Sequence, residues 1–111
     1  MKLSEWLACR TPRPPKALDA RVRNSLSASL ESEVEQGGGR THQELLGAAR
    51  SLLVDILAAE SAERGCAHDL LAADALVTYA FEVASEDPDE IDTLAHAAMR
   101  SLGALAGEGT T

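Results

Sequence analysis

Asp87-Pro88-Asp89-Glu90 and Thr41-His42-Gln43-Glu44 decide how this chain folds. Each pairs a short polar residue with a glutamate three positions on. The first side chain can accept a bond from an open amide of a first helical turn, and the glutamate can reach back to the cap's own amide. In the first box Pro88 stands where a helix needs no donor and where a fixed φ suits it. Behind each box runs an Ala/Leu-rich stretch of helical period, so the two boxes mark the starts of two long amphipathic helices.

Working outward, the helix opened by Thr41 runs to Arg64, with Leu45, Leu46, Ala49, Leu52, Leu53, Ile56 and Leu57 on a broad apolar arc and Glu44, Arg50, Asp55 and Glu60 at its margins. Arg64-Gly65 reads as its cationic end and terminal glycine. The next helix spans about Ala67 to Ser85. Leu70, Ala73, Val77, Ala80, Phe81 and Ala84 share one face, while Leu71, Ala72, Ala75 and Leu76 extend the apolar surface much of the way round, which makes it the most buried element. The helix from Pro88 to about Ala106 sets Ile91, Leu94, Ala95, Ala98, Leu102 and Leu105 opposite a wet face of Asp92, His96 and Arg100. Residues 107–111 read as a disordered tail.

Upstream of Thr41, Gly37-Gly38-Gly39 makes a flexible reversal. Before it a helix is expected from the Pro14-Pro15 entry to about Glu35, because Leu18, Val22, Leu26, Leu30 and Val34 recur every four residues. Each such step advances about 40° round the helix, so the stripe winds and suits an oblique crossing. Ser25, Ser27, Ser29 and Ser32 weaken it, making it the helix most prone to fray. Residues 1–15 form an arm: Leu3, Trp6 and Leu7 make a short amphipathic piece that must dock or fray, and Thr11 to Pro15 is a proline-rich linker. The domain plan is therefore an arm over 1–15, a bundle over 16–106 and a tail. The fold class is all-α, an antiparallel bundle of about four long helices with a short N-terminal helix.

Composition agrees. The 111 residues are 45% apolar but hold a single Trp, Tyr and Phe, which favours closely approaching helices over a sheet core. No apolar stretch reaches the ~18 residues of a membrane span, and no signal-peptide apolar region follows the N-terminus, so a cytoplasmic protein is expected. The net charge of −8 is divided unevenly: residues 1–40 hold seven basic and five acidic side chains, whereas residues 41–111 hold three and thirteen. An acidic bundle repels phosphate backbones, which excludes nucleic acid as a partner class.

No residue set has the spacing of a reactive centre. Glu60, Glu63, Cys66, His68 and Asp69 surround one corner, but Cys-x-His is not a paired zinc spacing, and no second pair completes it. Asp69 is explained as a helix N-terminal charge. His42, His68 and His96 fall on three helices without the Glu-x-x-His repeat of a di-iron bundle. Asp92, His96 and Arg100 form an i+4 surface ladder. The acids from Glu86 to Asp92 lack the glycine and distal glutamate of a calcium loop. The glycines at 37–39 lack the Lys-Ser or Lys-Thr of a phosphate loop. Cys9 and Cys66 are expected as free thiols. We expect no catalytic residue, no metal and no cofactor.

Residues 71–82, Leu-Ala-Ala-Asp-Ala-Leu-Val-Thr-Tyr-Ala-Phe-Glu, resemble a helix segment of trans-prenyl diphosphate synthases. The resemblance covers about a tenth of the chain. That family's paired aspartate-rich motifs are missing, so it implies a helix and carries over no activity and no site residue.

Two functional readings remain. In the first, the protein is a noncatalytic interaction module or accessory subunit that binds a protein partner or a second copy of itself. Its docking residues are Leu3, Trp6 and Leu7 of the arm and Leu71 and Leu76 of the apolar-rich helix. The arm is expected to fold back on its own chain, because its tether raises local concentration. In the second, the bundle encloses an apolar small molecule, with Asp74, Thr78 and Tyr79 as polar contacts. A wet edge of Asp74, Thr78 and Glu82 is the simpler account of the first two, since an unpaired buried carboxylate is costly.

Overall fold

The computed structural model describes residues 1–10, 14–34, 40–58, 64–85 and 87–109, with the backbone alone for 40, 64–66 and 106–109. It is all-α, with helices α1 (Leu3–Ala8), α2 (Lys16–Ser25), α3 (Arg40–Ala58), α4 (Arg64–Ala84) and α5 (Pro88–Gly109). The long helices α3, α4 and α5 pack on one another, and α2 lies on α4. Three helices are long where about four were expected, because α2 stops early.

The reason lies in its serines and in the arm. α2 ends at Ser25, whose hydroxyl donates back to the Arg21 carbonyl at 3.0 Å. Beyond it, tight turns replace the helix: the Ser29 amide bonds to the Leu26 carbonyl at 2.7 Å and that of Ser32 to the Ser29 carbonyl at 3.0 Å. This frees the backbone of 30–34 for another task. The first amides of a helix lack partners within it. Here Leu3 N–H donates to Ser32 O at 2.9 Å and Ser4 N–H to Leu30 O at 3.0 Å, while Val34 N–H returns to Met1 O at 2.8 Å. An isolated antiparallel bridge between Lys2 and Glu33 completes the contact.

With its amides satisfied, the six-residue α1 is held by tertiary packing, as so short a helix must be. Leu3, Trp6 and Leu7 are buried in the main core with Val22, Leu45 and Leu76. Trp6 meets Tyr79 of α4 edge to face, with centroids 5.6 Å apart and planes at 83°. The Arg10 guanidinium stacks 3.9 Å above the Trp6 ring and pairs with Glu82 of α4. The arm folds back on its own chain.

Other boundaries shift for local reasons. α3 starts at Arg40, so Thr41 lies inside the first turn and is buried rather than capping it from outside. Arg64 and Gly65 open α4 instead of closing α3. Glycine's cost of about 1 kcal/mol in a helix is small against the packing of the apolar face that follows. α5 continues through Gly109, taking in positions 107–109 of the expected tail; residues 110–111 lie outside the described set, as do the glycines at 37–39 and the linker at 11–13.

At the α5 start, Asp87 Oδ1 accepts the Asp89 amide at 3.0 Å, an N-terminal cap as the sequence predicts. The reach-back half of the box does not form. The Asp87 amide is already bonded to Ala84 O at 3.1 Å, so Glu90 turns instead to α3, where its Oε2 lies 3.1 Å from Nε2 of the buried His42. The glutamate of the box thus ties the start of α5 to the start of α3.

The buried face of α4 consists of Ala72, Ala73, Leu76, Ala80, Val83 and Ala84. At 100° per residue, its centre lies about 70° round from the face expected through Leu70, Val77 and Phe81. Trp6 covers the Tyr79 side of α4, and the neighbouring Ala72, Leu76 and Val83 are buried, with α3 and α2 packed on the helix.

Candidate docking surface

The rotation of α4 leaves apolar side chains on the outside of the α3–α4 pair. Leu70 and Leu71 are each 54% exposed, and on α3 Leu57 is 59% and Val54 39% exposed. Between the helices Leu53, Leu70, Ala73 and Val77 form an open apolar groove of about 170 Å³, with Asp74 at its rim. Leu57 stands one turn beyond Leu53 on α3. Elsewhere Met99 of α5 is exposed but sits on the wet face with Asp92, His96 and Arg100.

The expected docking residues divide. Leu3, Trp6 and Leu7 belong to the chain's own core, and Leu76 is fully buried, so none of these four is presented to a partner in this fold. Leu76 is a correction: the α4 rotation carries it inward and turns Leu70 and Val77 toward the groove. Leu71 remains on the open side. The sequence places Leu53, Leu57 and Leu70 on core faces, because periodicity alone assigns any apolar stripe to the interior. The available signal was excess: the apolar arc of α3 and the nearly encircling apolar surface of α4 exceed what the neighbouring helices can cover.

The pocket residues do not converge. Asp74, Thr78 and Glu82 are exposed along one edge of α4. The Thr78 hydroxyl donates to the Asp74 carbonyl at 3.0 Å, an intrahelical bond. Tyr79 faces the other way, against Trp6. Burial, and then the negative charge of Glu82, hold its hydroxyl above the ordinary value of 10.0.

Among the described residues no group of three or more His, Cys, Asp or Glu side chains is placed to hold a metal ion. Asp69, expected to serve the start of its helix, is six residues into α4 and pairs with Arg21 of α2 at 2.6 Å. Cys9 is an exposed free thiol, and the side chains of Glu60, Glu63 and Cys66 lie outside the described set. No helix among the described residues is long and apolar enough to cross a membrane. No family model, curated protein or solved structure matches the chain.

Proposed function

We propose that this protein is a noncatalytic helical interaction module whose docking surface is the outer face of the α3–α4 pair. One observation carries the reading: Val54 and Leu57 of α3 and Leu70 and Leu71 of α4 are exposed large apolar side chains, and Leu70 lines an open apolar groove between the two helices. Scattered exposed leucines need no explanation, but clustered ones beside a groove favour a partner surface. The ligand-binding alternative draws less support, since the groove is open and Asp74, Thr78 and Tyr79 point to different surroundings.

Site-specific photocrosslinking in extracts of the native cell tests the proposal. A photoreactive residue at position 57 or 71 is expected to yield discrete protein adducts, and one at position 96, on the wet face of α5, is not. Adduct formation no greater at 57 and 71 than at 96 would refute it. Because Leu71 is exposed, Leu71→Glu is expected to suppress the adducts formed from position 57 while leaving the helical circular dichroism unchanged.

A further inference from the structure

The rest of the chain treats the three acids of α4 differently. Asp69 takes Arg21 of α2 at 2.6 Å and Glu82 takes Arg10 of the arm, while Asp74, exposed at the groove, has no ion pair among the described residues. Each answered acid marks a place where an apolar element with a basic residue at its edge has docked. The arm brings Leu3, Trp6 and Leu7 with Arg10; α2 brings Val22 with Arg21. At Asp74 the apolar floor is present, in Leu53, Leu70, Ala73 and Val77, and among the described residues no element covers it.

From this juxtaposition we propose that the groove receives an amphipathic helix of another protein, its apolar stripe on Leu53, Leu70 and Val77 and a flanking lysine or arginine against Asp74. This rests on the reading of the α3–α4 face as a docking surface. A groove between two packed helices runs along their axes and takes side chains spaced i, i+3 or i+4, and i+7. Residues 41–111 carry three basic against thirteen acidic side chains, so a cationic helix is steered toward them. A second copy is the poorer occupant. It brings a further net charge of −8, and among the described α3 and α4 side chains it offers only Arg50 as a fixed cation.

The test uses three synthetic peptides of about 18 residues, long enough to be helical once bound. One has a leucine stripe flanked by lysines, one the same stripe flanked by glutamates, and one the lysine composition with its leucines scrambled. Each is titrated into the 15N-labelled full chain at ~0.15 M salt, where distant charges are screened. The lysine-flanked peptide is expected to shift amides around Leu53, Leu70, Ala73, Asp74 and Val77 and to bind about tenfold more tightly than the glutamate-flanked one. Asp74→Lys should weaken it by about three- to tenfold, and Leu70→Glu should abolish groove binding. Both positions are exposed, so both variants keep the fold, checked by circular dichroism.

Equal binding of the lysine- and glutamate-flanked peptides in the groove would overturn the cationic partner while leaving the docking surface intact. Binding of the scrambled peptide as tight as that of the lysine-flanked one, or no groove binding by either striped peptide, would overturn it as well. A dimer in sedimentation that Leu70→Glu dissociates would assign the groove to a second copy, with the same consequence. The crosslinking contrast between positions 57 and 96 judges the underlying surface reading separately.

Discussion

Replacing Trp6 by alanine tests whether the arm is part of the cooperative fold. The side chain is 6% exposed. A buried indole removes about 150–250 Å² from water, which at about 25 cal/mol per Å² is a gross effect of roughly 4–6 kcal/mol. Alanine keeps the Cβ contact and the denatured chain already hides some of that area, so the expected loss is about 3–5 kcal/mol. Within this, the edge-to-face contact with Tyr79 contributes about 0.5–1.5 kcal/mol, and the stacked Arg10 about 0.5–1 kcal/mol. Urea melts followed by circular dichroism measure the total, and a double-mutant cycle with Tyr79→Leu isolates the ring pair. In the unmodified chain Trp6 is the single tryptophan, so its emission should be blue-shifted, poorly quenched by iodide and unchanged on dilution, as docking within one chain requires. A loss below about 1 kcal/mol, against the 3–5 expected of a core aromatic, would show that the arm is a separable flap. The reasoning from its backbone bonds to 30–34 would then be wrong.

Asp87→Ala should cost about 1 kcal/mol in denaturant melts by leaving the Asp89 amide uncapped, and Asp87→Ser should recover most of it. His42→Ala, which empties a buried site and strips Glu90 of its partner, should cost about 2 kcal/mol. Glu90→Gln, at a half-exposed position where a neutral hydrogen bond can replace the charged one, should cost about 1 kcal/mol or less in the same melts. Tyr79, the single tyrosine, should titrate above its ordinary 10.0 when followed by ultraviolet absorbance and fall back toward it in urea. Since burial favours the neutral form, the folded state holds this proton more tightly than the unfolded one. The stability it contributes is therefore present below the unfolded value and lost as pH rises through the folded one, so melts should weaken progressively above about pH 10.

The helical state was legible because its causes are local. Asp87 and Pro88 open a helix through their own hydrogen-bonding and φ preferences, and the stripe from Ile91 to Leu105 separates from Asp92, His96 and Arg100 whatever else surrounds it. That the arm must dock or fray was equally readable, since six residues cannot hold a helix alone; its docking was decided by the tertiary structure. Where each surface would be covered was not legible. The winding stripe from Leu18 to Val34 suited a long helix, but the open amides of α1 required acceptors, and the carbonyls of Leu30 and Ser32 supplied them. Glu90 had a partner within its own box and another across the fold; the Ala84 carbonyl took the cap amide and left His42. On α4 a nearly continuous apolar surface makes many rotations about the helix axis similar in burial. The neighbours that packed on it, α3, α2 and the distant Trp6, left the one that buries Leu76 and keeps Leu70 and Leu71 at the surface. Period and caps act over a few residues and belong to the sequence, whereas the choice among equivalent apolar faces depends on which neighbour arrives, and only the tertiary structure contains that.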